Sequence, residues 1–232
     1  MSYQYTYLIM DSIGLVIWTI LFVLRKDVRK EMLFMSLGFG AVALLMEPIY
    51  LKDWWRPLTI TNTPVGIEDF LSGFVIGGIC AVIYEVILRK RVSIRKSNPQ
   101  VVIKREISFL SLTIIFAVLF FIGFFALRLN SFYSSFVTFI FGITVIFILR
   151  RDLIFNSLIS GFLVVLISFA TYSIMDLITP GWVREFWYFR NTPDIIILSV
   201  PIDDLFWNFL AGAFIGPLYE FWKGGKVKPF LK

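Results

Sequence analysis

The sequence contains no histidine and a single cysteine, Cys80. Without histidine there is no imidazole to ligate a metal or to act as a general acid or base near neutral pH. One cysteine forms no intrachain disulfide and no multi-thiolate metal site. Glycine-rich phosphate cradles and dinucleotide-binding glycine patterns are also absent. Charge is scarce: 16% of the residues are charged while 58% are hydrophobic, and the mean hydropathy is +0.82. A soluble domain of 232 residues exposes too much surface to be built from so apolar a chain. The composition fits a single membrane domain with the bilayer as its solvent. The net charge of +6 does not point to nucleic acid. The basic residues form short clusters between apolar runs, as in loops that lie beside anionic lipid.

Seven apolar runs approach the roughly 20 residues that span a bilayer: Tyr5–Leu24, Met32–Leu51, Ile67–Leu88, Ile107–Leu127, Ser131–Leu149, Leu153–Ile178 and Ile202–Trp222. The first is too polar at its start, and lacks the flanks, for a cleaved signal peptide. Only Arg128-Leu129-Asn130 separates the fourth run from the fifth, so one long bent helix is an alternative there. With the N-terminus outside, the inner segments hold 17 of the 22 Lys and Arg residues. The positive-inside rule therefore predicts an outer N-terminus and a cytoplasmic C-terminus. Trp54 and Trp55 fall in one outer loop, and Trp182, Phe186, Trp187, Tyr188 and Phe189 in another. They read as an aromatic belt, or as rings that stabilise a cation near a site.

The chain also repeats itself. Gly66-Ile67-Glu68-Asp69-Phe70 matches Pro201-Ile202-Asp203-Asp204-Leu205 at an offset of 135, and Phe74, Gly77 and Tyr84-Glu85 match Phe209, Gly212 and Tyr219-Glu220 at the same offset. Thr19 to Asp27 matches Thr144 to Asp152 at an offset of 125. Runs one to three thus recur as runs five to seven. A three-helix unit starts outside and ends inside, so a second copy joined directly to it is inverted. The fourth run, which has no repeat partner, restores the orientation. The expected fold is all-α: a polytopic membrane protein of seven transmembrane helices, made of two parallel three-helix repeats joined by a linker helix. The corresponding segments are 1–96, 97–130 and 131–232.

Acids within such runs are functional candidates, because a charge in the bilayer costs several kcal/mol. They are Asp11, Glu47, Glu68, Asp69, Asp176, Asp203 and Asp204, all placed toward the outer face. Carboxylates in the first turn of a helix are also favoured by its free N–H groups and dipole. Two acidic pairs at matched repeat positions, beside further acids, favour a shared site. Glu85 and Glu220 lie about 25 Å further along their helices at 1.5 Å per residue. They are read as structural, in reach of Arg89 and Lys223.

Pro201-Ile202-Asp203-Asp204 is similar to the proline–aliphatic–acid–acid motif of the membrane lycopene cyclases. This family includes the heterodimeric bacterial and archaeal carotenoid cyclases and the cyclase half of the fungal cyclase–phytoene synthase fusion. Trp187-Tyr188-Phe189 and Tyr219-Glu220-Phe221 resemble it too. The first motif has Gly66 directly before Ile67, with Pro64 two residues earlier, and the second has Asp203 where the family usually carries glutamate. Heterodimeric members have two subunits of about three helices each, and their fused form has the layout derived above.

The resemblance implies a carotenoid end-group cyclase, an intramolecular lyase or isomerase. It protonates a terminal double bond, closes a ring on the resulting cation and removes a proton, with no net redox change. The chemistry needs an acid, a base and a dry cavity with aromatic walls, and an adjacent acid pair suits the proton transfers. Glu68, Asp69, Asp203 and Asp204 are the acid–base candidates, followed by Glu47 and Asp176. Phe74, Trp187 and Trp207 are candidates for contact with the substrate and its cation. The implied partners are a lipophilic carotenoid, membrane lipid and other enzymes of carotenoid synthesis, in a prokaryotic cell membrane. No cofactor, metal or nucleic acid is implied. An ion-coupled transporter and a non-catalytic carotenoid-binding protein are the competing readings.

Overall fold

The computed structural model describes residues 3–94 and 98–229. It is helical: α1 (Thr6–Leu24), α2 (Arg29–Asp53), α3 (Ile67–Ile87), α4 (Pro99–Phe121), α5 (Ser131–Leu149), α6 (Ile154–Ile178), α7 (Trp182–Phe186), α8 (Ile202–Ile215) and α9 (Leu218–Lys223). Short strands β1 (Lys90–Ser93) and β4 (Lys226–Pro229) pair antiparallel, as do β2 (Ile196–Ile197) and β3 (Val200–Pro201). Among the described residues six helices are long and apolar enough to cross a membrane. The protein is an integral membrane protein. The expected boundary between residues 96 and 97 lies outside the described residues.

Two of the expected helices differ from their sequence reading. α4 starts at Pro99 rather than Ile107. Asn98 accepts the Gln100 N–H at 3.2 Å, and Pro99 occupies the first turn, where its missing N–H costs nothing. The longer helix carries Lys104, Arg105 and Glu106, which lie ahead of the apolar run. Its other end widens into a π-helical turn, Ile122–Ala126. Arg128, at φ 54°, then reverses the chain, and Asn130 caps α5 by accepting the Phe132 N–H at 2.8 Å. α4 and α5 are separate helices, which excludes the single bent one.

The seventh run is split into α8 and α9 at Gly216-Pro217. Pro217 has no N–H for the carbonyl of Ala213, four residues back. The Ser157 hydroxyl donates to that carbonyl instead, at 2.6 Å.

Element bounds repeat at the offsets found in the sequence. α5 starts and ends 125 residues after α1, and α6 starts and ends 125 residues after α2. The Arg25 guanidinium donates to Asp27 and to the carbonyls of Glu85 (2.8 Å) and Lys90. The Arg150 guanidinium donates to Asp152 and to the carbonyls of Glu220 (3.0 Å) and Gly225 (2.8 Å). In the β1–β4 ladder Val92 faces Val227, its own counterpart at an offset of 135. Gly77 and Gly212 are counterparts as well. A Cβ on Gly77 would meet the Met35 carbonyl of α2, and one on Gly212 the Ser160 carbonyl of α6. Both glycines allow close helix approach where apolar burial supplies no force. α3 and α8 form the middle of the bundle, and α3 is buried continuously from Gly77 to Glu85.

Candidate active site

A cavity of about 570 Å3 runs through the bundle. At one end four carboxyls from four helices line it: Asp11 (α1), Glu47 (α2), Asp69 (α3) and Asp204 (α8). From there the wall is apolar, following α3 as far as Cys80 and α8–α9 as far as Leu218. The step from Asp69 to Cys80 is about 16 Å at the helical rise of 1.5 Å per residue.

The local fold sets each acid. Asp69, in the first turn of α3, accepts the Gly66 N–H at 2.7 Å, closing the helix start as a capping residue does. Its other oxygen accepts from the Tyr7 hydroxyl at 3.0 Å. Asp204 accepts at one oxygen from the Tyr172 hydroxyl (2.5 Å) and from Asn208 Nδ2 (2.8 Å). Asp11 and Glu47 are 5% and 4% exposed, and each has one buried oxygen without a hydrogen-bond partner. Such an oxygen is costly unless it has a task.

Aromatic residues roof the acid end. Trp54, Trp55 and Trp187 line the cavity there, with Trp55 and Trp187 5.4 Å apart and Trp54 and Trp207 6.0 Å apart between ring centroids. The loops that carry them are knit together: the Tyr188 N–H donates to the Trp54 carbonyl at 2.8 Å, and the Arg56 N–H to the Phe186 carbonyl at 2.7 Å. One roof thus draws on both halves of the chain.

Of the sequence candidates, Asp69, Asp204, Glu47, Trp187 and Trp207 line this cavity. Glu68, Asp203, Asp176 and Phe74 do not. Glu68 is buried and accepts the Ile60 N–H at 2.6 Å, which fixes the loop before α3. Asp203 accepts from Trp54 Nε1 at 2.7 Å, which fixes a roof ring. Asp176 accepts from Ser199 Oγ at 3.0 Å. Phe74 packs against Trp18, 5.1 Å away between centroids.

Sequence reasoning left out Tyr7, Tyr172 and Asn208, and it named Asp11 without selecting it. The signals were there. Tyr7 is four residues before Asp11 and Asn208 four after Asp204, so each pair shares a helix face. Tyr172 stands at the 125-residue offset from Glu47.

The opposite end of the bundle differs from expectation. Glu85 and Glu220 do not pair with Arg89 and Lys223. Asn156 Nδ2 donates to Glu85 at 3.1 Å and to Glu220 at 3.2 Å, both glutamates being fully buried. Lys223 pairs with Glu106 at 3.2 Å. Asn156 on α6 thus bridges the two counterpart glutamates, while Lys223 turns to Glu106.

The fold and the cavity define an integral membrane protein with carboxyls gathered at one end of an apolar site. Residues 130–222 match the family model described as lycopene cyclase. No curated protein and no solved structure matches the chain.

Proposed function

We propose that the protein cyclises the end group of a linear carotenoid by acid–base chemistry inside the membrane. The observation that carries this reading is that Asp69 and Asp204, the second member of each acidic pair, come from separate halves of the chain to one apolar cavity. A carboxyl gives a proton to the terminal double bond of the substrate. The double bond nearby attacks the cation, forming the ring bond, and a second carboxyl takes the proton that the ring loses. Atoms and electrons balance within the substrate, so the net change is an isomerisation. Asp69 and Asp204 are the proton-transfer candidates, with Glu47 and Asp11 beside them. Trp54, Trp187 and Trp207 offer ring faces to the cation and exclude water from it. Glu68 and Asp203 act as positioning residues, through the 54–66 loop and through Trp54.

The same reading includes seven membrane crossings, two parallel three-helix repeats, an outer N-terminus and a cytoplasmic C-terminus. The chain then stands as a single-chain counterpart of two three-helix subunits, with α4 as the linker. The break between α8 and α9 is a feature that ion-coupled carriers share. It lies twelve residues from Asp204, about 18 Å along the helix, so its freed backbone groups do not serve the acids.

The test is expression in a lycopene-accumulating host with chromatography of the pigments. Wild type should give cyclic carotenoid. Asp69→Asn and Asp204→Asn keep size and hydrogen bonding but remove the transferable proton, so each should lower cyclic product by about a hundredfold or more, the lower range for acid–base catalysis. Wild-type product levels in the double variant would end the assignment.

A further inference from the structure

We propose that the carotenoid enters this cavity sideways from the lipid, through the seam between α2 and α4, and that Gly38 keeps the seam open. The proposal rests on the carotenoid reading of the acid end. Among the described residues, all cavity-lining residues that are also exposed belong to these two helices: Phe34, Gly38 and Val42 on α2, and Thr113, Ala117 and Phe121 on α4. On each helix they recur every four residues, which is one stripe down one face. The cavity wall and the lipid-facing surface therefore meet along a single line.

Aromatic contacts close that line at both ends. Near β1, the Trp222 ring lies 4.7 Å from Phe34 and 4.8 Å from Phe109. Near the acids, Tyr50 meets Phe120 edge-on at 6.4 Å. From Phe34 to Tyr50, α2 advances about 24 Å, a length suited to an extended chain rather than to a compact solute. Gly38 lies one turn from the first closure. A Cβ there would meet no atom within 4 Å, so packing does not require glycine, and glycine is a poor helix former. Its missing side chain leaves a gap in the stripe between Phe34 and Val42.

The occupant this seam fits is a polyene hydrocarbon. The stripes are apolar except for Thr113, whose hydroxyl is turned to its own helix and donates to the Phe109 carbonyl at 3.0 Å. The gap opens on lipid and leads to the carboxyls. α4 has no counterpart at the repeat offsets, so the seam it makes with α2 is on one side of the molecule only.

Trp54, Trp55, Trp187 and Trp207 line the cavity, so bound lycopene quenches their fluorescence. The measurement mixes full-length protein in lipid nanodiscs with lycopene-loaded vesicles and follows the quenching rate. It compares wild type, Gly38→Trp, Ala117→Trp and Leu45→Trp. Leu45 is on α2, 75% exposed and off the cavity wall. Gly38→Trp and Ala117→Trp should slow quenching about tenfold or more, within the one to three decades over which association rates vary among variants of one site, while Leu45→Trp matches wild type. Equal rates in all four proteins, or no quenching in wild type, would overturn the seam. Cyclic product is scored separately. Wild type that binds lycopene through the seam without cyclising it removes the cyclase reading and leaves the seam. Wild type that cyclises, with Gly38→Trp equal to it in binding and product, removes the seam and leaves the cyclase reading.

Discussion

Asp203 and Asp204 are consecutive, yet a helix turns successive residues by about 100°, so adjacent side chains face different neighbours. Asp204 meets the cavity with Tyr172 and Asn208, while Asp203 meets Trp54. The same division separates Asp69 from Glu68. On the proposed assignment the two substitutions differ in kind. Asp204→Asn removes a transferable proton and should cost about a hundredfold in cyclic product. Asp203→Asn keeps an amide oxygen for Trp54 Nε1, so its loss should stay below about tenfold, since a neutral hydrogen bond of about 1 kcal/mol survives. Pigment chromatography of the two single variants decides it, and equal losses would remove the division of roles. The pairs themselves were legible as acids at matched repeat positions. Which member faces the cavity was not, because helix phase shifts by a full side-chain direction when a boundary moves by one residue.

α8 and α9 show how a break inside an apolar run is held. The Ala213 carbonyl is without a helical donor because residue 217 is proline, and the Ser157 hydroxyl occupies the vacant direction. Ser157→Ala should therefore destabilise the protein by about 1–3 kcal/mol, the cost of a buried carbonyl left unpaired. In a Pro217→Ala background the backbone N–H becomes available, and the same serine substitution should cost much less. Denaturant titration of the four proteins in detergent gives the coupling. The same loss in both backgrounds would show that the serine works by another route. Hydropathy located Ile202–Trp222 as one run because it averages over the break, although Gly216-Pro217 is a helix-stop signal. Hydropathy also started α4 late. Asn98-Pro99 carries both a cap residue and a first-turn proline, and those, not apolarity, set where the helix begins.

At the scale of the molecule, the question is whether α8 and α9 together cross the bilayer, since among the described residues only the six longer helices qualify by length and composition. The contacts at their two ends argue that they do. Asp203, at the start of α8, is hydrogen-bonded to Trp54, which follows α2 and lies on the side where α3 begins. β4, which follows α9, pairs with β1, which follows α3. The α8–α9 segment thus starts with the start of α3 and finishes with its end. From residue 202 to 223 it covers about 33 Å at 1.5 Å per residue, enough for a hydrocarbon core of about 30 Å. On the proposed reading seven crossings put the termini on opposite sides, and the positive-inside rule assigns the C-terminus to the cytoplasm. Reporter fusions should accordingly read an outer N-terminus and a cytoplasmic C-terminus. A fusion within the Arg56–Thr63 loop should read the same side as one at Arg190, because the backbone bonds from Arg56 to Phe186 and from Tyr188 to Trp54 join these two loops over the acids. Both termini on one side would mean that α8–α9 turns back within the membrane. The second half would then not cross the membrane as the first does, and the case for two like halves would fail with it.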